Sequence, residues 1–174
     1  MEDPARQIEH VVRSLVELPT ATEIVAHIDK YFTKDARILH PLFNQPLSKN
    51  GREDLKGIYK MERVLFVYEA MDIHSIMTSQ DKKHIAIDST VHITLRYAPF
   101  LKFDARFVTI CRLVQAKNGR WLISEQTDIL PSDLSMARFP VPILRSLSDF
   151  YKHTVGYLTA SLGRFLLKQG WGGA

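Results

Sequence analysis

The period of the hydrophobic pattern changes once, near Ala70, and this single change restricts the chain to one class of fold. Before it, apolar residues recur at helical spacing in three stripes. These are Ile8, Val11, Val12 and Leu15; then Ile24, Val25, Ile28, Tyr31 and Phe32; then Leu55, Ile58, Tyr59, Val64 and Leu65, in a helix expected over 52–68. After it the period is two, in four runs at 71–78, 84–97, 103–115 and 121–130. Helices followed by an uninterrupted series of strands predict an α+β layout, with three N-terminal helices covering one face of a curved antiparallel sheet.

Local signals punctuate this order. Asp3 and Pro4 form an N-cap and first turn, Pro19 ends the first helix, and Thr20 with Glu23 is a capping box opening the second. A short strand over 37–40 runs into Pro41, and 41–51 reads as loop. Gln80-Asp81-Lys82-Lys83 and Lys117-Asn118-Gly119 are hairpin connections, the second suited to a type I′ turn. Ala98-Pro99 is expected to interrupt the middle of the sheet, and Pro131, Pro140 and Pro142 mark its exit.

Composition bounds the function. A chain of 174 residues, 45% hydrophobic, supports one core. We divide it into a domain at 1–136 and an extension at 137–174. The formal net charge of +4 resides in that extension, where Arg138, Arg145, Lys152, Arg164 and Lys168 face only Asp149. The body carries no Lys/Arg cluster, phosphate loop or zinc-finger spacing, so nucleic acid is not an expected partner. The dispersed histidines give no metal site, and no cofactor is expected. Lone Cys111 fits a reducing, intracellular setting, and neither a signal pattern nor a stretch long enough to cross a bilayer is read.

The extension reads as an amphipathic helix. Leu144, Leu147, Phe150, Tyr151, Leu158 and Phe165 share one arc, with Arg145 and Lys152 opposite and Lys168 at its end. Such a stripe serves packing on its own domain, a second subunit, or an anionic membrane surface.

The order of elements resembles the nuclear transport factor two-like superfamily of cone-shaped domains. Tyr31-Phe32-Thr33-Lys34-Asp35-Ala36, with Ile38-Leu39-His40-Pro41-Leu42, is similar to its second helix and first strand. Gly51-Arg52-Glu53-Asp54-Leu55 with Tyr59 is similar to the start of its third helix, and Gly119-Arg120-Trp121-Leu122-Ile123 through Gln126-Thr127-Asp128 to its closing strand. Within the superfamily the chain looks most like the fungal SigF-like group, which often carries a C-terminal hydrophobic extension. The same cone hosts isomerases, dehydratases, cyclases and non-catalytic binders.

Strand parity sorts the polar residues. Ile85, Ile87, Ser89, Val91, Ile93 and Leu95 share one face, which should meet the helices; Asp88, Thr90, His92, Thr94 and Arg96 share the other. Asp88 and His92 are then about 13 Å apart on the outward face and read as solvated. The resemblance makes His40, Tyr59, Tyr68, His74 and Asp128 the catalytic candidates. Tyr59, Met61, Phe66, Met71, Ile87, Val91, Phe103, Phe107, Trp121 and Ile123 are the expected pocket lining.

No spacing in the sequence enforces an acid–base set. The leading expectation is therefore non-catalytic binding of an apolar small molecule or lipid, with peripheral membrane association through the C-terminal helix. An isomerase, dehydratase or cyclase acting on a secondary metabolite is the alternative, and a homodimeric interaction module the third reading.

Overall fold

A computed structural model of the chain describes residues 1–130 and 142–169. Helix α1 (Pro4–Glu17) starts as its cap residues dictate: the Asp3 carboxylate accepts from the Ala5 N–H at 3.2 Å. Helix α2 (Ala21–Tyr31) carries the full capping box, with Thr20 Oγ1 accepting from the Glu23 N–H and Glu23 Oε2 from the Thr20 N–H. Thr20→Ala removes the hydroxyl that caps the Glu23 N–H and donates to Glu23 Oε2, leaving only the backbone half of the box, and is expected to lower stability by about 1 kcal/mol, read as a shift in the urea midpoint with unchanged slope.

Strands β1 (Phe32–His40) and β2 (Phe43–Asn44) follow, then α3 (Gly51–Leu65), β3 (Phe66–Thr78), β4 (His84–Leu95), β5 (Ala98–Gln115), β6 (Trp121–Ile129) and α4 (Pro142–Lys168). The six strands form one sheet in the order β2-β1-β6-β5-β4-β3. The sheet is mixed, which corrects the expectation of an antiparallel one: β1 runs parallel to β6, Ile38 opposite Gln126 and Leu39 opposite Thr127. The reason is topological. β1 leaves a helix, not a hairpin, so its partner is free to come from the far end of the domain, where Arg37 is ion-paired with Glu125.

Three local expectations are revised. The third helix stops at Leu65, not near Tyr68, because Phe66 and Tyr68 pair with Leu95 and Ile93 across the sheet. Pro99 does not interrupt the sheet; it lies within β5 at a register shift between Thr94 and Leu95, where its missing N–H is tolerated. The turn at Asn118 is not type I′, because Gly119 alone in it has positive φ (80°) and its N–H bonds to the Ala116 carbonyl. That is a turn closed by a left-handed glycine.

The inward faces meet as parity requires. Ile8, Val11 and Ile28 from the helices and Ile85, Ile87, Leu113 and Ile123 from the sheet are all but inaccessible. One buried polar side chain ties the loop read at 41–51 to this body. Gln45 donates to the carbonyls of Ala36 (3.2 Å) and Gly51 (2.7 Å) and accepts from the Ile38 N–H. It locks the start of α3 onto β1.

The outward face of β3, β4 and β5 is a lattice of paired charges. Asp88 pairs with Arg106, Glu69 with Lys102, and His92 sits between Asp72 (3.0 Å) and Asp104 (2.7 Å). Along α4 the apolar side chains Leu147, Phe150, Tyr151, Leu158 and Phe165 are 57–71% exposed, and Lys152 is exposed beside them. The side chains of Leu144, Arg145 and Lys168, and residues Pro131, Arg138 and Pro140 with the boundary at 136, lie outside the described residues. No helix among the described residues is long and apolar enough to cross a membrane.

Candidate active site

Between the helices and the concave side of the sheet lies a cavity of about 570 Å³. Its walls are mostly apolar. Val12 and Leu15 come from α1, Met61 from α3, Phe66 and Met71 from β3, and Val91, Phe103 and Phe107 from β4 and β5. Seven of the ten expected lining residues are there: Tyr59, Met61, Phe66, Met71, Val91, Phe103 and Phe107. The other three are not. Ile87 and Ile123 are packed solid in the core, and Trp121 lies at the start of β6, where its backbone pairs with that of Met1.

The polar residues on these walls form two linked groups. Strand β6 directs Gln126 and Asp128 inward, two residues apart, and β5 places Thr109 directly opposite Asp128. Thr109 Oγ1 donates to Asp128 Oδ1 at 2.6 Å, and the Gln126 amide donates to Oδ2 at 3.0 Å. The other end of that amide accepts from Tyr59 Oη at 3.0 Å, which fixes the orientation of Gln126. Both donors favour the ionised carboxylate, yet loss of water outweighs them and raises Asp128 to about 6.

Glu62 stands one turn after Tyr59 on α3 and faces the same cavity. Burial, followed by the neighbouring charge of Asp128, raises its carboxyl to about 7. Tyr68 donates its hydroxyl to Glu62 Oε2 at 3.2 Å, and the Arg63 guanidinium lies 4.8 Å from the Tyr68 ring. Burial pushes both tyrosine hydroxyls upward, so Tyr59 and Tyr68 keep their protons.

His40, at the end of β1, stacks on Phe43 at 4.7 Å and accepts the Leu42 N–H at Nδ1. Burial lowers its pKa. The neutral ring therefore carries its proton on Nε2, as a donor on the cavity wall.

Of the five catalytic candidates, then, His40, Tyr59, Tyr68 and Asp128 line one cavity. His74 does not: it bonds to Thr90 Oγ1 at 2.8 Å on the outward face, because β3 turns that position away from the helices. Sequence reasoning missed Glu62, Gln126 and Thr109 as site residues. A signal for Glu62 existed, since it continues the buried stripe Leu55, Ile58, Tyr59 at helical spacing. No group of acidic, histidine or cysteine side chains among the described residues is arranged to hold a metal.

Two carboxyls with separated pKa values, in one water-poor cavity, are the means for moving a proton. Both carboxyls are raised toward neutral pH by burial, and the Asp128 charge raises Glu62 further, so ionised Asp128 beside protonated Glu62 is the favoured arrangement of a single proton. One group is then an acceptor and the other a donor.

The sequence profile of the SigF NTF2-like domain matches residues 1–171. The chain belongs to that family. Among solved structures, this SigF NTF2-like chain is similar to a ketosteroid isomerase-like fold protein from Catenulispora acidiphila, crystallised with trimethylamine, at 14% identity and TM-score 0.56, over 77% of this chain and 94% of that one. A ketosteroid isomerase-like protein from Erwinia carotovora atroseptica aligns at 14% identity and TM-score 0.52, over 75% and 100%. A SnoaL-like family protein from Agrobacterium tumefaciens aligns at 10% identity and TM-score 0.52, over 72% and 96%. These likenesses establish the fold. No curated protein sequence matches the SigF NTF2-like chain.

Proposed function

We propose that the cavity catalyses proton transfer on an apolar small molecule bearing a carbonyl or hydroxyl oxygen, a reaction of the isomerase, dehydratase or cyclase kind. The observation that carries this reading is the convergence of Asp128 and Glu62, with Tyr59 and Tyr68, on one largely apolar cavity. Non-catalytic binding of an apolar molecule or lipid is the leading expectation from sequence, where no spacing enforces an acid–base set. The enzymatic alternative is supported by carboxyls that reach one cavity from β6 and α3, two elements that the sequence keeps more than fifty residues apart.

In an isomerisation, ionised Asp128 accepts a proton from a carbon next to the carbonyl. The electron pair moves onto the carbonyl oxygen, which neutral Glu62 or His40 Nε2–H meets with a hydrogen bond. Return of the proton from Asp128 to a different carbon restores both carboxyls. The names of the SnoaL-like and ketosteroid isomerase-like neighbours agree with this class of chemistry.

The general-base reporter 5-nitrobenzisoxazole tests the reading without knowledge of the substrate, because it needs only a base in an apolar pocket. Its ring opening should be accelerated above buffer, with a rate that rises through a midpoint near pH 6, where Asp128 ionises. A rate no faster than buffer across pH 5–8 would defeat the proposal.

A second reading concerns location. The exposed stripe of α4, with Lys152 beside it, favours peripheral attachment to an anionic membrane surface.

A further inference from the structure

The apolar surface of this chain is not confined to α4. Leu42, Met61 and Leu65 line the cavity and are 39–72% exposed, so they stand at its mouth. Val64, beside Leu65, is 47% exposed. The Arg96 N–H donates to the Leu65 carbonyl at 2.9 Å and the Arg96 guanidinium to the Arg63 carbonyl, which clamps the β4–β5 turn against the end of α3. That turn carries Tyr97, 77% exposed, and Phe100, 83% exposed, follows it near the start of β5. Three large apolar side chains thus stand at the opening, and Val64, Tyr97 and Phe100 are exposed on the segments that continue from its lining residues Leu65, Leu95 and Phe103, where isolated exposed residues would need no explanation.

Charge distinguishes this rim from the outward sheet face. There Lys102 and Arg106 are each matched with an acid. Lys60 and Arg96, next in sequence to the lining residues Met61 and Leu95, are exposed, and neither has an ion pair among the described residues. Exposed aromatics flanked by unneutralised cations, around the entrance of an apolar cavity, are complementary to the surface of an anionic bilayer.

We propose that the cavity mouth is itself a membrane-contacting surface, separate from α4, through which the cavity takes its apolar ligand directly from an anionic leaflet. The inference rests on the reading that the cavity accepts an apolar molecule. Tyr97 and Phe100 enter the headgroup region, Lys60 and Arg96 meet lipid phosphates, and the ligand passes between Leu42 and Leu65 without crossing water.

The test uses the full chain, the double variant Tyr97→Ser/Phe100→Ser, and diphenylhexatriene as the apolar probe. Neither aromatic lines the cavity, so probe uptake from cyclodextrin and the 5-nitrobenzisoxazole rate should be unchanged. Wild type and variant share α4, so any difference belongs to the rim. Transfer from phosphatidylcholine vesicles containing phosphatidylserine should be at least about tenfold slower for the variant, with weaker cosedimentation. Pure phosphatidylcholine vesicles should load both proteins slowly. Equal transfer by the two proteins overturns the proposal, and so does a change in self-association without a change in vesicle binding, which would make the rim a contact between copies. If cyclodextrin fails to load the wild type while cosedimentation still depends on the two aromatics, the ligand reading falls and rim docking stands.

Discussion

Gly51→Ala should be the most damaging single-methyl addition in this protein. A Cβ at Gly51 would lie 2.3 Å from the Ala36 carbonyl oxygen and 3.1 Å from that of Asp35. Both belong to the backbone of β1, so no side chain can swing aside. Gly51 does not need a left-handed conformation; it needs the absence of a side chain where α3 starts against β1. The clash can be relieved only by separating these elements, which also strains the Gln45 bridge to Ala36 and Gly51. A loss of about 3 kcal/mol or more is expected, equivalent to roughly 10 °C in Tm. Gly57→Ala is the internal control, because nothing lies within 4 Å of its added Cβ on the same helix. That change should stabilise by about 0.5–1 kcal/mol through helix propensity. Thermal melts that place the two variants on the same side of wild type would contradict the described seating of α3.

Asp128→Asn should separate catalysis from stability in opposite directions. If Asp128 is the proton acceptor, its amide cannot replace it, and the 5-nitrobenzisoxazole rate should fall at least about a hundredfold. Stability should move the other way at neutral pH. The folded state raises Asp128 to about 6 from the ordinary 3.8, so folding holds the proton more tightly than the unfolded chain does. That favours the fold at low pH and is lost progressively as pH rises from about 4 to 6. Above pH 6 the ionised carboxylate is a net burden, on the order of 3 kcal/mol from the size of the shift. The asparagine variant lacks it. Urea titrations at pH 5 and pH 8 should therefore show the variant gaining on wild type at the higher pH. Glu62 should also relax downward from about 7, because the Asp128 charge contributes to its elevation. A variant destabilised equally at both pH values would mean that Asp128 is not the desolvated acid described.

Much of the fold is legible in residue periodicity. The stripe Ile8, Val11, Val12, Leu15 is the buried face of α1, and alternation along β4 sends Ile85, Ile87, Val91 and Ile93 inward as expected. Boundaries are less legible where two elements meet without a loop. Nothing in Val64 to Tyr68 marks the conversion from helix to strand, because pairing with β4 decides it. The parallel union of β1 with β6 is invisible for the same reason: it is a property of two distant segments jointly.

The site divides along similar lines. Tyr59 and Asp128 are nominated by resemblance and Glu62 by neither resemblance nor composition, since a glutamate on a helix reads as solvent-facing. What makes it an acid of the cavity is the sheet closing over α3, and the one local trace of that loss of water is its place on the stripe of Leu55, Ile58 and Tyr59. Three of the ten expected wall residues, Ile87, Trp121 and Ile123, are placed elsewhere because an apolar side chain on the inner face can equally fill the core.

The pairing of Arg37 with Glu125 joins residues 88 positions apart, and with it β1 joins β6. During synthesis β1 emerges long before its neighbour exists, so it must wait with one flank uncovered while nearly the whole domain is translated. Closing so long a span is the entropically unfavourable step, and it comes late. Gln126 and Asp128 ride on the strand that arrives then. The nascent chain therefore acquires the carboxyl of Asp128 and the amide of Gln126 only in the act of completing the sheet, and a truncated product lacking β6 would be left with an open edge and a cavity wall without either group.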